Sequence, residues 1–254
     1  MIDSTNAFKK LKEQIQESID FVILCCHAVP ALKGYIKAVD KGSAQKIPDP
    51  DYFGGSVQHK RLKAISPSYR KILGKFLILS SFSYFEAFVK DVMKEIFEFH
   101  SDANLLDLAI EKRDKTIALV SINASTENNV RKLRERMIPS KVEKYVKINT
   151  ELKSNGYRFP SDHFSAYGIL RLWEQIEEMR AVQIPKIIQE ALGLSWTDDE
   201  ITNFHRIRDL RNNIAHGVLK EVDLSAAIDD NRFLRNLAIK VDKHIVKHFF
   251  IIET

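Results

Sequence analysis

The residues best suited to chemistry lie together in the stretch ITNFHRIRDLRNNIAHGVL, from Ile201 to Leu219. Within it Arg211, Asn212 and His216 stand as R-N-N-I-A-H, with Gly217 directly after. Histidine titrates near neutral pH and can take or give a proton. Arginine holds a permanent charge on a forked set of donors that fits a phosphate or a carboxylate. The pair therefore offers proton transfer beside a fixed cation. His205, Asp209, Asn212 and His216 recur at i, i+4, i+7 and i+11, which places them on one face of a helix, with Arg208 beside them.

Arg211 stands out by its position. Ile201, Phe204, Ile207, Leu210, Ile214 and Val218 recur every three or four residues, the pattern of an amphipathic helix with one face in a core. Arg211 falls in the middle of that apolar stripe. A guanidinium cannot shed its proton, so it needs a carboxylate, several carbonyls or a bound anion there. Five helical steps also point Arg211 and His216 about 140° apart on a straight helix. One copy of the motif then serves a single phosphate poorly, unless the helix distorts before Gly217 or two copies combine across a dimer. Spacing alone decides little, because Arg158 and His163 repeat it in a proline-containing loop.

The elements that must position these residues follow from the rest of the chain. Its 254 residues are 44% apolar, enough for a substantial core, and Gly and Pro are scarce. The periodicity is helical throughout, so the expected class is all-α. Core helices are expected at about 69–100, 164–192, 197–219 and 229–250. A further helix is expected from Asn6 to Ala28, ending before Pro30, and residues 40–68 read as an irregular excursion. The helix from Tyr69 is apolar on two sides. One stripe is Leu73, Phe76, Leu77, Ser80, Tyr84, Ala87 and Phe88; the other runs through Ile78, Phe82, Phe85, Val89, Met93 and Ile96. Glu86 is a carboxylate among these apolar residues and needs a cation or a raised pKa. Thr197 and Glu200 form a capping box at the start of the motif helix, and Gly193 marks the stop of the helix before it. Pro185 is expected to kink or break that earlier helix.

The net charge of +5 leans weakly towards an anionic partner. RKLRER at Arg131–Arg136 reads first as a solvated helix face and second as a phosphate-facing patch. Phosphate cradles and nucleophile elbows are missing from the sequence. His244 and His248 lie one turn apart without the H-E-x-x-H pattern, so no metal and no cofactor are expected. The only cysteines, Cys25 and Cys26, are adjacent, which fits a reducing cytoplasm. The run from Phe21 to Leu32 is interrupted and short, so no membrane association is expected.

R-N-N-I-A-H-G at Arg211–Gly217 resembles the R-x(4–6)-H motif of the HEPN superfamily, in which a polar residue, often Asn, follows the Arg. The helix with SSFSYFEAFVKDV, from Ser80 to Val92, is similar to the long early helix of such domains. The resemblance implies a single HEPN-like helical bundle over residues 1–254, with residues 101–160 as a helical insertion or elaboration. It also implies a homodimer whose two motifs share one cleft. Many members are metal-independent endoribonucleases of toxin–antitoxin or antiviral defence systems, which makes RNA the expected substrate and an antitoxin or defence protein a possible partner. Arg211, Asn212 and His216 are then the catalytic residues, with Glu86, Asp209, Arg208 and His205 in support. RNA cleavage by its own 2′-hydroxyl needs a proton-moving group and a cation on the phosphate, and these residues supply both. Asn212 would position the phosphate or orient His216. Two readings of Arg211 stay open: a charge facing a cleft, or a core arginine paired with Glu86 while His216 caps helix carbonyls. The second goes with a non-catalytic module that binds a nucleotide or a protein.

Overall fold

The computed structural model describes residues 3–47, 59–100, 179–190, 192–219 and 221–249, and every regular element among them is a helix. These are α1 (Asn6–Asp40), α2 (His59–Ile65) with a 3-10 turn at Ser66–Ser68, α3 (Tyr69–His100), α4 (Ile184–Glu190), α5 (Asp198–Ala215) and α6 (Leu224–His248). The chain is all-α, as its periodicity predicts. The RKLRER cluster, the expected insertion at 101–160 and most of the expected helix at 164–192 lie outside the described residues.

Several boundaries depart from expectation. α1 runs through Pro30 to Asp40. Pro30 removes one helical N–H donor, yet Val22, Cys25, Cys26 and Val29 pack on one buried cluster before it and Ile36 is buried after it, so the helix is packed on both sides of the proline. Residues 59–68, expected to be irregular, hold α2 and the 3-10 turn. The break near Pro185 falls earlier, at the extended Arg180, so that Pro185 takes the second position of α4. Proline is tolerated there because the first helical N–H groups lack partners anyway. α6 starts at Leu224, because the Asp223 carboxylate accepts the Ala226 N–H at 3.1 Å and caps it. Phe76, assigned to a core stripe, is 60% exposed.

The helices contribute to two compact units. One comprises Leu11–Phe85 and Phe204–Asn236. Its core joins Val22 of α1, Tyr69, Leu73, Leu77 and Ile78 of α3, Ile214 of α5, and Leu224 and Ala227 of α6. Phe82 and Phe85 of α3 meet Phe204 of α5 with ring centroids 5.5 and 5.9 Å apart. Buried Asn231 donates to Ser81 Oγ at 2.7 Å, which satisfies both groups. The Arg206 guanidinium closes on the buried Asp230 carboxylate with two N–H groups.

Gly74 fixes the connection from α5 to α6 in this unit. A Cβ added there would lie 2.6 Å from the Val222 carbonyl oxygen and 3.2 Å from that of Asp223. Both are backbone atoms and cannot swing aside. Gly74→Ala is therefore expected to destabilise the protein by about 1–3 kcal/mol. Gly34→Ala, with nothing within 4 Å of the new carbon, serves as the control in the same urea titration and should be neutral or stabilising.

The other unit comprises Met1–Lys10, Glu86–Asn203 and Leu237–Thr254. Here the N-terminus of α1 is fastened by three side chains. Thr5 Oγ1 accepts the Phe8 N–H, and Glu95 accepts the N–H groups of Asn6 and Ala7. Buried Asp242 accepts both the N–H and the hydroxyl of Thr5, at 2.9 and 2.7 Å. Burial raises the Asp242 carboxyl above its usual range, and the Thr5 bonds offset only part of the rise. The folded carboxyl thus holds its proton more tightly than the unfolded one. Its contribution to stability is present in acid and is lost as pH rises through the folded value. Asp242→Asn keeps an acceptor for Thr5 without the charge. Its stability relative to the natural protein should therefore climb as pH rises above about 4, the ordinary value of an unfolded aspartate, measured by urea unfolding.

By length and composition, α1 and the stretch Lys60–Ile96 could each cross a bilayer. The second has half of its apolar window buried, as a core helix does. Only 11% of the corresponding window in α1 is buried. Phe21, Leu24 and Tyr35 of α1 are each more than half exposed. The expectation of no span rested on the short, interrupted apolar run from Phe21 to Leu32, whereas α1 as a whole extends from Asn6 to Asp40.

Candidate functional site

α5 positions the motif. Its first turn carries Asp198, Asp199 and Glu200, which favour the positive end of the helix. The expected capping box is formed: Thr197 Oγ1 accepts the Glu200 N–H at 3.2 Å, and Glu200 accepts the Thr197 N–H at 2.8 Å. Glu200 also accepts Lys240 Nζ at 2.8 Å. Burial pushes its carboxyl up, but the bonds from Lys240 and Thr197 outweigh this and hold it below its ordinary value.

The helix ends at Ala215, earlier than expected. Gly217 adopts φ +72°, and the Val218 N–H reaches back to Asn213 O at 2.9 Å while the Gly217 N–H reaches Ile214 O at 3.0 Å. This paired closure is a Schellman motif, and glycine takes its left-handed position without the strain a Cβ would bring. His216 is the last residue on the helical path, since its N–H still bonds to Asn212 O at 2.9 Å. The angle of about 140° between Arg211 and His216 therefore holds through the end of the helix. Val218, counted in the apolar stripe, lies beyond the turn and is 73% exposed.

Arg211 is half-buried. Its guanidinium carbon stands 5.3 Å from the centre of the Phe82 ring, and its Nη1 donates to Asn212 Oδ1 at 3.0 Å. An aromatic face and an amide oxygen thus meet the charge that the stripe left in question. Phe82 itself is fully buried against Phe204. Asn212 turns towards Arg211, so it orients the arginine. Phe82 reads in sequence only as a core residue, and nothing in the spacing pairs it with Arg211.

The supporting residues form a separate group. Arg208 Nη1 lies 2.9 Å from His205 Nδ1, and its Nε and Nη2 donate to Asp209 Oδ1 at 2.9 and 2.6 Å. Arginine only donates, so His205 Nδ1 is the acceptor and the proton sits on Nε2. Burial, reinforced by the Arg208 charge and opposed by Asp209, lowers the His205 pKa and keeps the ring neutral. The predicted face of His205, Asp209, Asn212 and His216 is thus divided. The first two close on Arg208, Asn212 joins Arg211, and His216 is exposed at the helix end. Glu86 is half-buried on α3 and belongs to the other unit.

His244 Nε2 lies 2.6 Å from the Leu192 carbonyl, so that nitrogen is engaged by backbone where α4 turns out at Gly193. No group of three or more His, Cys, Asp or Glu residues that could hold a metal occurs among the described residues.

A family model described as RiboL-PSP-HEPN matches residues 56–247, well over half of the chain and the whole motif. The chain belongs to this family. The match to the RiboL-PSP-HEPN family begins just before α2 and takes in α3, α4, α5 and nearly all of α6. It supports a ribonuclease- or nucleotide-related role at that level. No curated protein and no solved structure matches the chain.

Proposed function

We propose that this HEPN-family protein is a metal-independent endoribonuclease that acts in the cytoplasm, in bacterial defence or as a toxin. The observation that carries the reading is the end of α5, where exposed His216 follows an Arg211 already oriented by Phe82 and Asn212. The reaction transfers two protons, forms one P–O bond and breaks another. A neutral imidazole takes the proton of a ribose 2′-hydroxyl, whose oxygen attacks the adjacent phosphorus. The bond to the 5′-oxygen breaks, and a protonated imidazole supplies the proton that this leaving group needs. Arg211 donates to the non-bridging oxygens as charge builds on the phosphate. The products are a 2′,3′-cyclic phosphate and a 5′-hydroxyl.

Two imidazoles are needed, and Arg211 and His216 diverge along one helix. A homodimer meets both requirements: the partner subunit's His216 provides the second imidazole, and the two motifs form one composite site. An antitoxin or another defence protein would act by covering this site or triggering it. The test is to incubate purified protein with RNA in excess EDTA and analyse the ends. Cleavage that yields cyclic phosphates is the expected result. Cleavage only after added metal ion overturns the mechanism.

A second reading has one observation in its favour. The exposed apolar residues of α1 suit a protein partner, as a non-catalytic helical module would require. Intact RNA in the same assay, with a folded protein, would select it.

A further inference from the structure

Ten of the residues from 33 to 75 are Lys or Arg and three are Asp, whereas the whole chain is only +5. The remainder of the protein is therefore net negative, although Arg131–Lys147 carries a second basic cluster of seven Lys or Arg against two Glu. The fold brings the first turns of α3 and Lys33 of α1 to the end of α5, and ties α2 to the end of α1. Tyr69 and Leu73, from the first turns of α3, share a buried cluster with Ile214 in the last turn of α5. Lys33 of α1 reaches over the Tyr69 ring, 5.2 Å from its centre. Lys63 of α2 bonds to Asp40 at the end of α1, at 2.7 Å. Lys71 bonds to Glu221, four residues beyond Gly217 in the turn that follows His216. Lys37, Lys41, Lys60, Arg61 and Arg70 of the same stretch are exposed.

We infer that the end of α1, α2 and the first turns of α3 form a binding surface for the phosphate backbone of single-stranded RNA, which leads the strand to His216. The inference rests on the ribonuclease reading and adds the path by which substrate arrives. Positive charge concentrated beside a site raises the local concentration of a polyanion and speeds its capture. Each lysine or arginine that contacts a phosphate releases a counterion, so the contacts can be counted from the salt dependence of binding. Tyr35, more than half exposed on the same stretch, offers a ring on which an unpaired base can stack. That favours a single strand over a duplex.

The experiment measures binding of a fluorescent single-stranded RNA across a salt series. All proteins carry His216→Ala, so that the RNA is not cut. One variant adds Lys37→Gln, Lys41→Gln, Lys60→Gln and Arg61→Gln. A control variant instead changes Lys12, Arg235, Lys243 and Lys247 to Gln, which are exposed and lie outside the stretch. The first variant should lose at least about tenfold in affinity at about 0.1 M salt. Its plot of log affinity against log salt should be shallower by roughly two to three, about 0.7 for each lost contact. The control should stay close to its parent. Equal losses in both variants, or none in either, overturn the proposed surface while RNA binding itself stands. If the parent binds no RNA, the ribonuclease reading falls and takes the proposal with it. A first variant that keeps RNA but no longer binds phosphatidylglycerol vesicles, which the parent does bind, assigns the surface to a membrane and overturns the proposal.

Discussion

Replacing His216 with alanine is expected to lower RNA cleavage by about two to four orders of magnitude, the usual contribution of a positioned general acid or base. The fold should not notice. The His216 side chain is exposed, and what holds the residue in place is its backbone bond to Asn212. Exposed positions of this kind change stability by less than about 0.5 kcal/mol. The two measurements, single-turnover cleavage and thermal unfolding, are thus expected to separate completely. In cells, if the protein arrests growth, the same substitution should relieve the arrest with protein levels unchanged. Retained cleavage would remove His216 from the mechanism.

Arg211→Lys should cost about two to three orders of magnitude in cleavage, comparable to the loss of one donor to a developing oxyanion. Lysine keeps the charge but lacks the planar fork and the stacking surface. It cannot lie over Phe82 and reach Asn212 Oδ1 in the present geometry. Part of the change will appear in stability, because a partly buried cation–π contact contributes about 1–2 kcal/mol. Urea unfolding at the assay temperature separates the two effects. The catalytic reading expects a folded Arg211→Lys protein that binds RNA and scarcely cleaves it. If Arg211→Ala fails to fold while His216→Ala cleaves normally, the guanidinium is a structural charge.

Local signals in the sequence were reliable where neighbouring residues decide the outcome. The two-sided apolar pattern placed α3 within a residue of its observed ends, and Thr197 with Glu200 marked the start of α5. Where tertiary packing decides, the same signals misled. Pro30 should have ended α1, but Val22 before it and Ile36 after it are both buried, and the helix runs through. Val218 continues the apolar period for one turn that the backbone does not make. Phe76 matches the period of α3 on a side left open. Spacing singled out Arg211, Asn212 and His216 as candidates, while the platform beneath Arg211 comes from Phe82, more than a hundred residues earlier. The basic stretch was visible in the charge order all along. Its proximity to the end of α5 was not, since that depends on Tyr69 and Ile214 sharing a core.

The early stop of α5 also bears on how such a site can vary. A residue inserted in the middle of a helix turns everything beyond it by about 100° and moves buried side chains to the wrong face. An insertion between Ala215 and His216 would do neither. Phe204, Ile207 and Ile214 would stay in the core, Arg211 would stay on Phe82, and the added residue would be taken up in the turn before Val222. The imidazole would be re-aimed, and the helix closure at Gly217 would have to re-form one residue later. The distance along the chain between arginine and histidine is thus coupled to the core less tightly than a mid-helix spacing, since only the terminal turn and its glycine closure have to adjust. A lineage could adjust the reach of its histidine one residue at a time without first having to rebuild the bundle.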